Sequence, residues 1–266
     1  MDHFPTNWGR PRNDAQDLYN TYPLHQRPNN TPKDVFADGV QRTQQPIVTG
    51  TSILAILYKD GIMMAADTLA SYGSLSRFKT IQRLQSVGEN TVIGASGDMS
   101  DFQYVQSILE ELMIEEFTAN DQNELGPAEI HEYLSRVYYA RRSKMNPLWN
   151  SVLVGGKKDG KRFLAYVDLL GTTYSASTLA TGYGAYIALP LLRSAVEGRE
   201  DELTEEQAQK LLTDCMRVLF YRDARSLDKF QIAKVTDEGV VISDPIKLDT
   251  TWGFAEKIRG YGPQTQ

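Results

Sequence analysis

Apolar positions change character sharply at Thr51. Upstream, residues 1–46 are rich in Pro, Asn and Gln, hold six of the eleven prolines and show no sustained period. Such a segment buries too little apolar surface to offset its ordering entropy. It is expected to be a disordered tail, or a pro-segment that orders against partners or is removed. From Thr51 two nearly continuous apolar runs, TSILAILY (51–58) and GIMMAAD (61–67), flank Lys59-Asp60-Gly61. Asp-Gly between such runs signals a hairpin. Apolar residues at almost every position imply strands covered on both faces. IQRLQSV (81–87) and NTVIGAS (90–96) predict a second hairpin around Gly88.

Helical spacing follows. Asp98 or Ser100 is a good cap, and Phe102, Val105, Ile108, Leu109, Leu112 and Met113 recur at the helical period. A second helix opens at Pro127, with Ile130, Tyr133, Leu134 and Val137 as its stripe and Arg141, Arg142 and Lys144 at its end, where cations suit the macrodipole. SVLVGG (151–156) and RFLAYVDLL (162–170) predict a hairpin across Lys158-Asp159-Gly160, and TTYSASTLAT (172–181) one or two short strands. A helical stretch runs from Ala185 to about Val196 with Pro190 near its start. Thr204-Glu205-Glu206-Gln207 is a capping box opening a helix to about Phe220. KFQIAKVT (229–236) and GVVISD (239–244) form a last hairpin, a final strand covers 246–250, and 251–266 is a tail.

Helices thus come in pairs between groups of strands rather than alternating singly with them. That disfavours a doubly wound parallel sheet. It predicts an α+β fold, two antiparallel sheets with a helical pair on each outer face: a four-layer α-β-β-α sandwich.

Composition narrows the function. A net charge of −6 lacks the basic footprint of a nucleic-acid binder. The five acids and five bases of residues 1–42 cancel, so the acidic excess lies beyond them. Cys215 is the one thiol, which excludes an intrachain disulfide framework and fits a reducing compartment. No stretch reaches 18 apolar residues, so no membrane span is predicted, and the N-terminus lacks the apolar region of a secretory signal. His3, His25 and His131 show no metal-ligand spacing, and GYGAY lacks the GxGxxG pattern of a dinucleotide site. No metal or cofactor is expected.

Five motifs stand in order at suitable distances: GTSILAILYKDGIMMAADTLAS, GASGDMSDFQ, LAYVDLLGT, ATGYGAYIALPLL and YRDARSLDKF. Together, over residues 49–250, they resemble the beta-type subunits of the 20S proteasome. The long polar pro-segment, the substituted site and the C-terminal arm are most similar to the seventh-type subunit of eukaryotes. The resemblance implies the N-terminal nucleophile hydrolase fold, which is the sandwich expected above. It divides the chain into a processed pro-segment (1–42), a beta-type domain (43–250) and a C-terminal arm (251–266).

Active members are similar in using an N-terminal threonine, freed by autolysis, whose α-amine serves as base for its own hydroxyl. The resemblance places this nucleophile at Thr51, behind Gly50, with Asp67, the oxyanion glycine Gly97, Asp223 and Ser226 in matching positions. Three positions depart. The essential lysine falls on Arg83, which keeps the charge but cannot exchange a proton near neutrality. The small serine of a Gly-Ser-Gly turn falls on Tyr183, whose ring is expected to crowd the nucleophile. The basic residue after Asp-Ser falls on Leu69. Thr51 is therefore expected to be vestigial, with Asp67 and Arg83 a buried structural ion pair.

The resemblance implies a non-catalytic subunit of the beta ring that supports assembly of the degradation chamber. Its partners would be other alpha and beta subunits in a 28-subunit particle, with contacts across the two beta rings and with assembly chaperones. It would need no cofactor and would reside in cytoplasm and nucleus. The alternative is an active threonine endopeptidase using Thr51 after cleavage at Gly50-Thr51. A stand-alone amidase of the same fold is disfavoured by the arm. Arg42-Thr43 is the expected processing point, cut by a neighbour. Trp252, Phe254, Ile258 and Tyr261 have the composition of interface anchors. Gly253, Gly260, Gly262 and Pro263 argue against one long helix and predict an extended arm that leaves the sandwich for another beta subunit; the alternative is that it folds back over its own sheet.

Overall fold

The computed structural model describes residues 44–119 and 124–255. The pro-segment residues 1–42, the Arg42-Thr43 bond, Ile258 and Tyr261 lie outside them.

Fourteen strands and five α-helices follow one another. The first group is β1 (Val48–Gly50), β2 (Ile53–Tyr58), β3 (Gly61–Asp67), β4 (Ala70–Tyr72), β5 (Leu75–Phe78), β6 (Leu84–Val87) and β7 (Thr91–Asp98). Helices α1 (Met99–Ala119) and α2 (Pro127–Ser143) come next. Then come β8 (Asn150–Lys158), β9 (Lys161–Asp168), β10 (Thr173–Ser175) and β11 (Thr178–Ala180), followed by α3 (Gly184–Ile187), α4 (Leu189–Val196) and α5 (Glu205–Arg222). The chain closes with β12 (Lys229–Thr236), β13 (Gly239–Ile242) and β14 (Ile246–Lys247).

Every strand pair is antiparallel. One sheet of eight strands runs β10-β9-β8-β7-β1-β4-β5, with β6 also on β7. The other, of six, runs β11-β2-β3-β12-β13, with β14 also on β12.

The dense apolar runs are explained by layering. In β2, Ile53 and Ala55 point between the sheets, while Leu54, Ile56 and Tyr58 pack beneath α4 and α5. In β3, Ile62, Met64 and Ala66 face the inter-sheet core and Met63 and Ala65 the helical side. β7 and β8 repeat this against α1 and α2: Val92 and Leu153 face inward, Ile93, Ala95, Val152 and Val154 outward. Both faces of the central strands are dry, so alternation vanishes, and each large aliphatic chain there contributes roughly 1.5–3 kcal/mol by leaving water. The four-layer α-β-β-α sandwich is the architecture found.

Local signals acted as expected. Asp159 and Gly160 have φ of 52° and 72° between Lys158 and Lys161, a two-residue turn with both centres left-handed. The Asp98 carboxylate accepts from the amides of Ser100 and Asp101 at 3.0 and 3.1 Å, starting α1. Thr204 and Gln207 exchange both bonds of the capping box.

The departures are short elements. The helix expected over 185–196 is two, α3 and α4, broken at Ala188 because Pro190, at the start of α4, cannot donate to the previous turn. β4 and β5 were hidden because three- and four-residue strands give too few positions for a period, and all of β5 is exposed. Thr51 does not begin a strand. It lies with Ser52 between β1 and β2, which belong to different sheets.

Candidate active site

The Gly50-Thr51 peptide lies where the chain first crosses from the eight-stranded sheet to the six-stranded one. Just before it, β1 is inserted between two strands: Val48 and Thr49 lie opposite Tyr72 and Ser71 of β4, and Thr49 and Gly50 opposite Asp98 and Gly97 of β7. Asp98 adds a tether, accepting the Ile47 amide on Oδ1 at 2.9 Å while its other oxygen caps α1. Just after it, Ser52 and Ile53 are pinned to the β11–α3 turn. Gly184 donates to Ser52 Oγ at 2.8 Å, and Ile53 donates to Thr181 Oγ1 at 2.9 Å. Thr51 is thus held from both sides.

Asp67, the last residue of β3, meets Arg83, which leads into β6. Nη1 of Arg83 donates to Asp67 Oδ1 at 2.7 Å, and the two side chains are 0% and 1% exposed. The remaining Nη donors reach carbonyls: Thr51, Ser52 at 3.3 Å and Ala95 at 3.4 Å. Asp67 Oδ2 accepts the Leu227 amide at 3.0 Å. Burial pushes the Asp67 carboxyl up, to about 6, against the pull of Arg83 and the Leu227 amide. The same burial lowers the guanidinium from its ordinary value, while Asp67 holds it up. At neutral pH both are charged, so this is the buried ion pair expected from the sequence.

The Thr51 hydroxyl donates to Asp223 Oδ2 at 2.6 Å. Asp223 ends α5, and its other carboxylate oxygen accepts the Arg225 amide at 2.8 Å. Ser226 is close in sequence but otherwise engaged: its hydroxyl donates to the Asp223 carbonyl at 2.6 Å and the Leu219 carbonyl at 3.3 Å, closing the helix end. Gly97 has φ of 88°, and a Cβ there would collide with the Trp149 carbonyl. Leu69 is buried, 1% exposed, where a lysine or arginine would need a partner for its charge.

Tyr183 stands at the start of α3 and is 59% exposed. The close approach to Ser52 is made by its neighbours: a Cβ on Gly184 would sit 3.0 Å from Ser52 Cβ. Of the tail, residues 251–255 are described: Gly253–Ala255 form a 3-10 turn, and Trp252 and Phe254 pack on Tyr221 of α5. Trp252 meets Tyr221 edge-on with centroids 5.0 Å apart, Phe254 meets it at 5.5 Å, and Tyr221 Oη exchanges hydrogen bonds with both the amide and the carbonyl of Thr251. Aromatic pairing on its own helix outcompetes extension for these residues.

The structure gathers Thr51, Asp67, Arg83, Gly97 and Asp223, the positions matched through the resemblance, and adds Ser52, Thr181 and the tether on Asp98. A small hydroxyl residue directly after Thr51, and another at the head of TGYG, were the available signals. The carbonyls of Ser52, Ala95 and Trp149 had none, since backbone acceptors carry no residue identity.

Residues 47–235 match the family described as Proteasome subunit. The chain is 52% identical over 230 residues to the probable proteasome subunit beta type-7 of Schizosaccharomyces pombe, covering 85% of this chain and 87% of that one. It is 44% identical over 273 residues to proteasome subunit beta type-7 of Saccharomyces cerevisiae, covering 99% of each chain. It is 48% identical over 225 residues to proteasome subunit beta type-4 of Xenopus laevis, covering 85% and 93%. The chain belongs to the proteasome beta-type subunit family. As a beta-type subunit it has the N-terminal nucleophile hydrolase fold and takes part in protein degradation by assembling with other proteasome subunits. Relatives bear both the type-7 and type-4 numbers, so the number itself does not follow the sequence.

Within a beta-type subunit the geometry has a chemical meaning. A threonine nucleophile of this kind needs a free α-amine, and while Gly50 is attached the Thr51 nitrogen is an amide with no basic lone pair. The cation beside it spends its Nη donors on carbonyls and on Asp67, and Thr51 Oγ1 is not among its acceptors.

Proposed function

We propose that this beta-type subunit is non-catalytic: it builds and stabilises the degradation chamber and does not cut substrate. The observation that carries the reading is the Arg83 clasp. A guanidinium that stays protonated stands where the family carries lysine, and it holds the Thr51 and Ser52 carbonyls rather than tuning the hydroxyl. Around it, the segment before Thr51 is a strand of the central sheet rather than a free end. One observation favours the alternative, an active endopeptidase freed at Gly50-Thr51. The Thr51–Asp223 bond is a nucleophile beside a carboxylate, the beginning of a general-base pair. Without an amine or a lysine, that pair is incomplete.

In assembled particles Thr51→Ala should leave every peptidase activity within about twofold of the parent. Loss of one activity class with normal assembly would mean that Thr51 is a nucleophile.

The same reading places the subunit in one of two stacked beta rings within a 28-subunit particle of cytoplasm and nucleus, helped into place by assembly chaperones. Residues 1–42 would be removed by a neighbour's cut at Arg42-Thr43. The tail would reach another beta subunit, across the ring interface, through residues beyond the Trp252 and Phe254 turn. Deleting residues 251–266 should then reduce the yield of full particles on native gels while half-particles accumulate. Normal yield, with all activities at their usual level, would remove the clamp role.

A further inference from the structure

We infer that Gly50 and Arg83 form one interdependent pair: residue 50 has no side chain because the Arg83 guanidinium occupies that space, and the guanidinium in turn splints the chain through the Gly50-Thr51 crossover. The inference does not rest on the proposed lack of catalysis, because it concerns only space and hydrogen bonding.

The first observation is that backbone conformation does not require glycine at this position. Among the described residues, the glycines with positive φ are Gly73, Gly88, Gly97, Gly160, Gly171, Gly182, Gly198 and Gly239, and Gly50 is not one of them. As a strand residue opposite Gly97, it sits in backbone that any L residue adopts. The second observation is what a Cβ would meet. The three nearest atoms all belong to Arg83: it would overlap Nε, lie 2.9 Å from Cζ and 3.1 Å from Cδ. Neither β4, β7 nor the chain's own backbone comes closer. The third is that Arg83 cannot swing away. Its side chain is fully buried, its Nη groups are fixed by Asp67 and by the carbonyls of Thr51, Ser52 and Ala95, and its own carbonyl accepts the Ala95 amide at 3.2 Å. Nε, lying against Gly50, is the one guanidinium group with no partner among the described residues. A group already without a hydrogen bond has nothing to gain by moving toward residue 50 and no free direction in which to retreat from a methyl.

The arrangement has a mechanical consequence. Asp67, Thr51 and Ser52 lead into or belong to the six-stranded sheet, and Ala95 belongs to the eight-stranded one. Arg83 therefore ties the two sheets where the chain first passes from one to the other. Gly50 is thus a spatial residue here, whatever its use as a cleavage residue elsewhere in the family.

The test is a double-mutant cycle on the full chain, read by thermal midpoint and by amide hydrogen exchange. Gly50→Ala with Arg83 present should lower the midpoint by about 5 °C and speed exchange at Thr51, Ser52 and Ala95 at least about tenfold. In the Asp67→Asn/Arg83→Ala background, which removes guanidinium and buried charge together, Gly50→Ala should change the midpoint by less than about 1 °C, or raise it as the methyl fills vacated space. Equal losses in both backgrounds would overturn the pairing. Should the second background fail to fold, the single variant decides: Gly50→Ala with an unchanged midpoint and unchanged exchange at those three amides overturns it.

Discussion

Arg83→Met is expected to destabilise the subunit by about 3–5 kcal/mol, the cost of leaving a buried charge without its partner. Asp67 is 1% exposed and would keep the backbone amides of Leu227 and Leu69 but lose its counter-charge. The carbonyls of Thr51, Ser52 and Ala95 would lose side-chain donors at the same time. For a domain of this size the melting midpoint should fall by roughly 6–20 °C, and the subunit should fail to accumulate in particles. Asp67→Asn in the same chain should recover much of the loss, since two neutral groups no longer carry an unmatched charge. Arg83→Lys should cost less than Arg83→Met, because the ion pair survives while the carbonyl clasp does not. A midpoint for Arg83→Met within about 2 °C of the parent would mean that the pair is not holding the two sheets together.

Gly97→Ala is the second large effect. The residue has φ of 88°, a conformation that costs an L residue about 1–2 kcal/mol. Its Cβ would also collide with the Trp149 carbonyl, which cannot move without breaking its 2.8 Å bond from the Asp98 amide. Asp98 in turn caps α1 and tethers Ile47, so the disturbance spreads to a helix start and to β1. The combined loss should be at least about 3 kcal/mol, seen as a lowered denaturation midpoint with an unchanged denaturant slope. Gly97 is required by the backbone in this chain independently of any reaction. An alanine variant of near-parent stability would contradict that reading.

How much of this the sequence carried depends on the length scale of each signal. The central strands were legible because two dry faces write an apolar residue at every position, as in GIMMAAD. Helix starts were legible where a side chain does the capping, at Asp98 and Thr204. β1, β4 and β5 were not, because short strands on or near an edge carry no period and owe their pairing to neighbours far away in sequence. The site divides in the same way. Thr51, Asp67, Arg83, Gly97 and Asp223 were identified only through the resemblance carried by five motifs in order, which also set Asp67 beside Arg83 as an ion pair. The approach of the TGYG turn to Ser52, made at Gly182 and Gly184, was not legible, because a glycine does not announce which backbone it lies against. The packing of Trp252 and Phe254 was not legible, because their partner, Tyr221, lies about thirty residues upstream and no local pattern announces it.

On the proposed reading Thr51 is an internal, unreactive residue held behind Gly50. Mass spectrometry of this subunit from assembled particles, with and without an electrophilic inhibitor directed at N-terminal threonines, should find a mature N-terminus upstream of Thr51, at Thr43, with residues 48–50 still attached and no adduct mass on the subunit. A terminus at Thr51 that carries the inhibitor would contradict it.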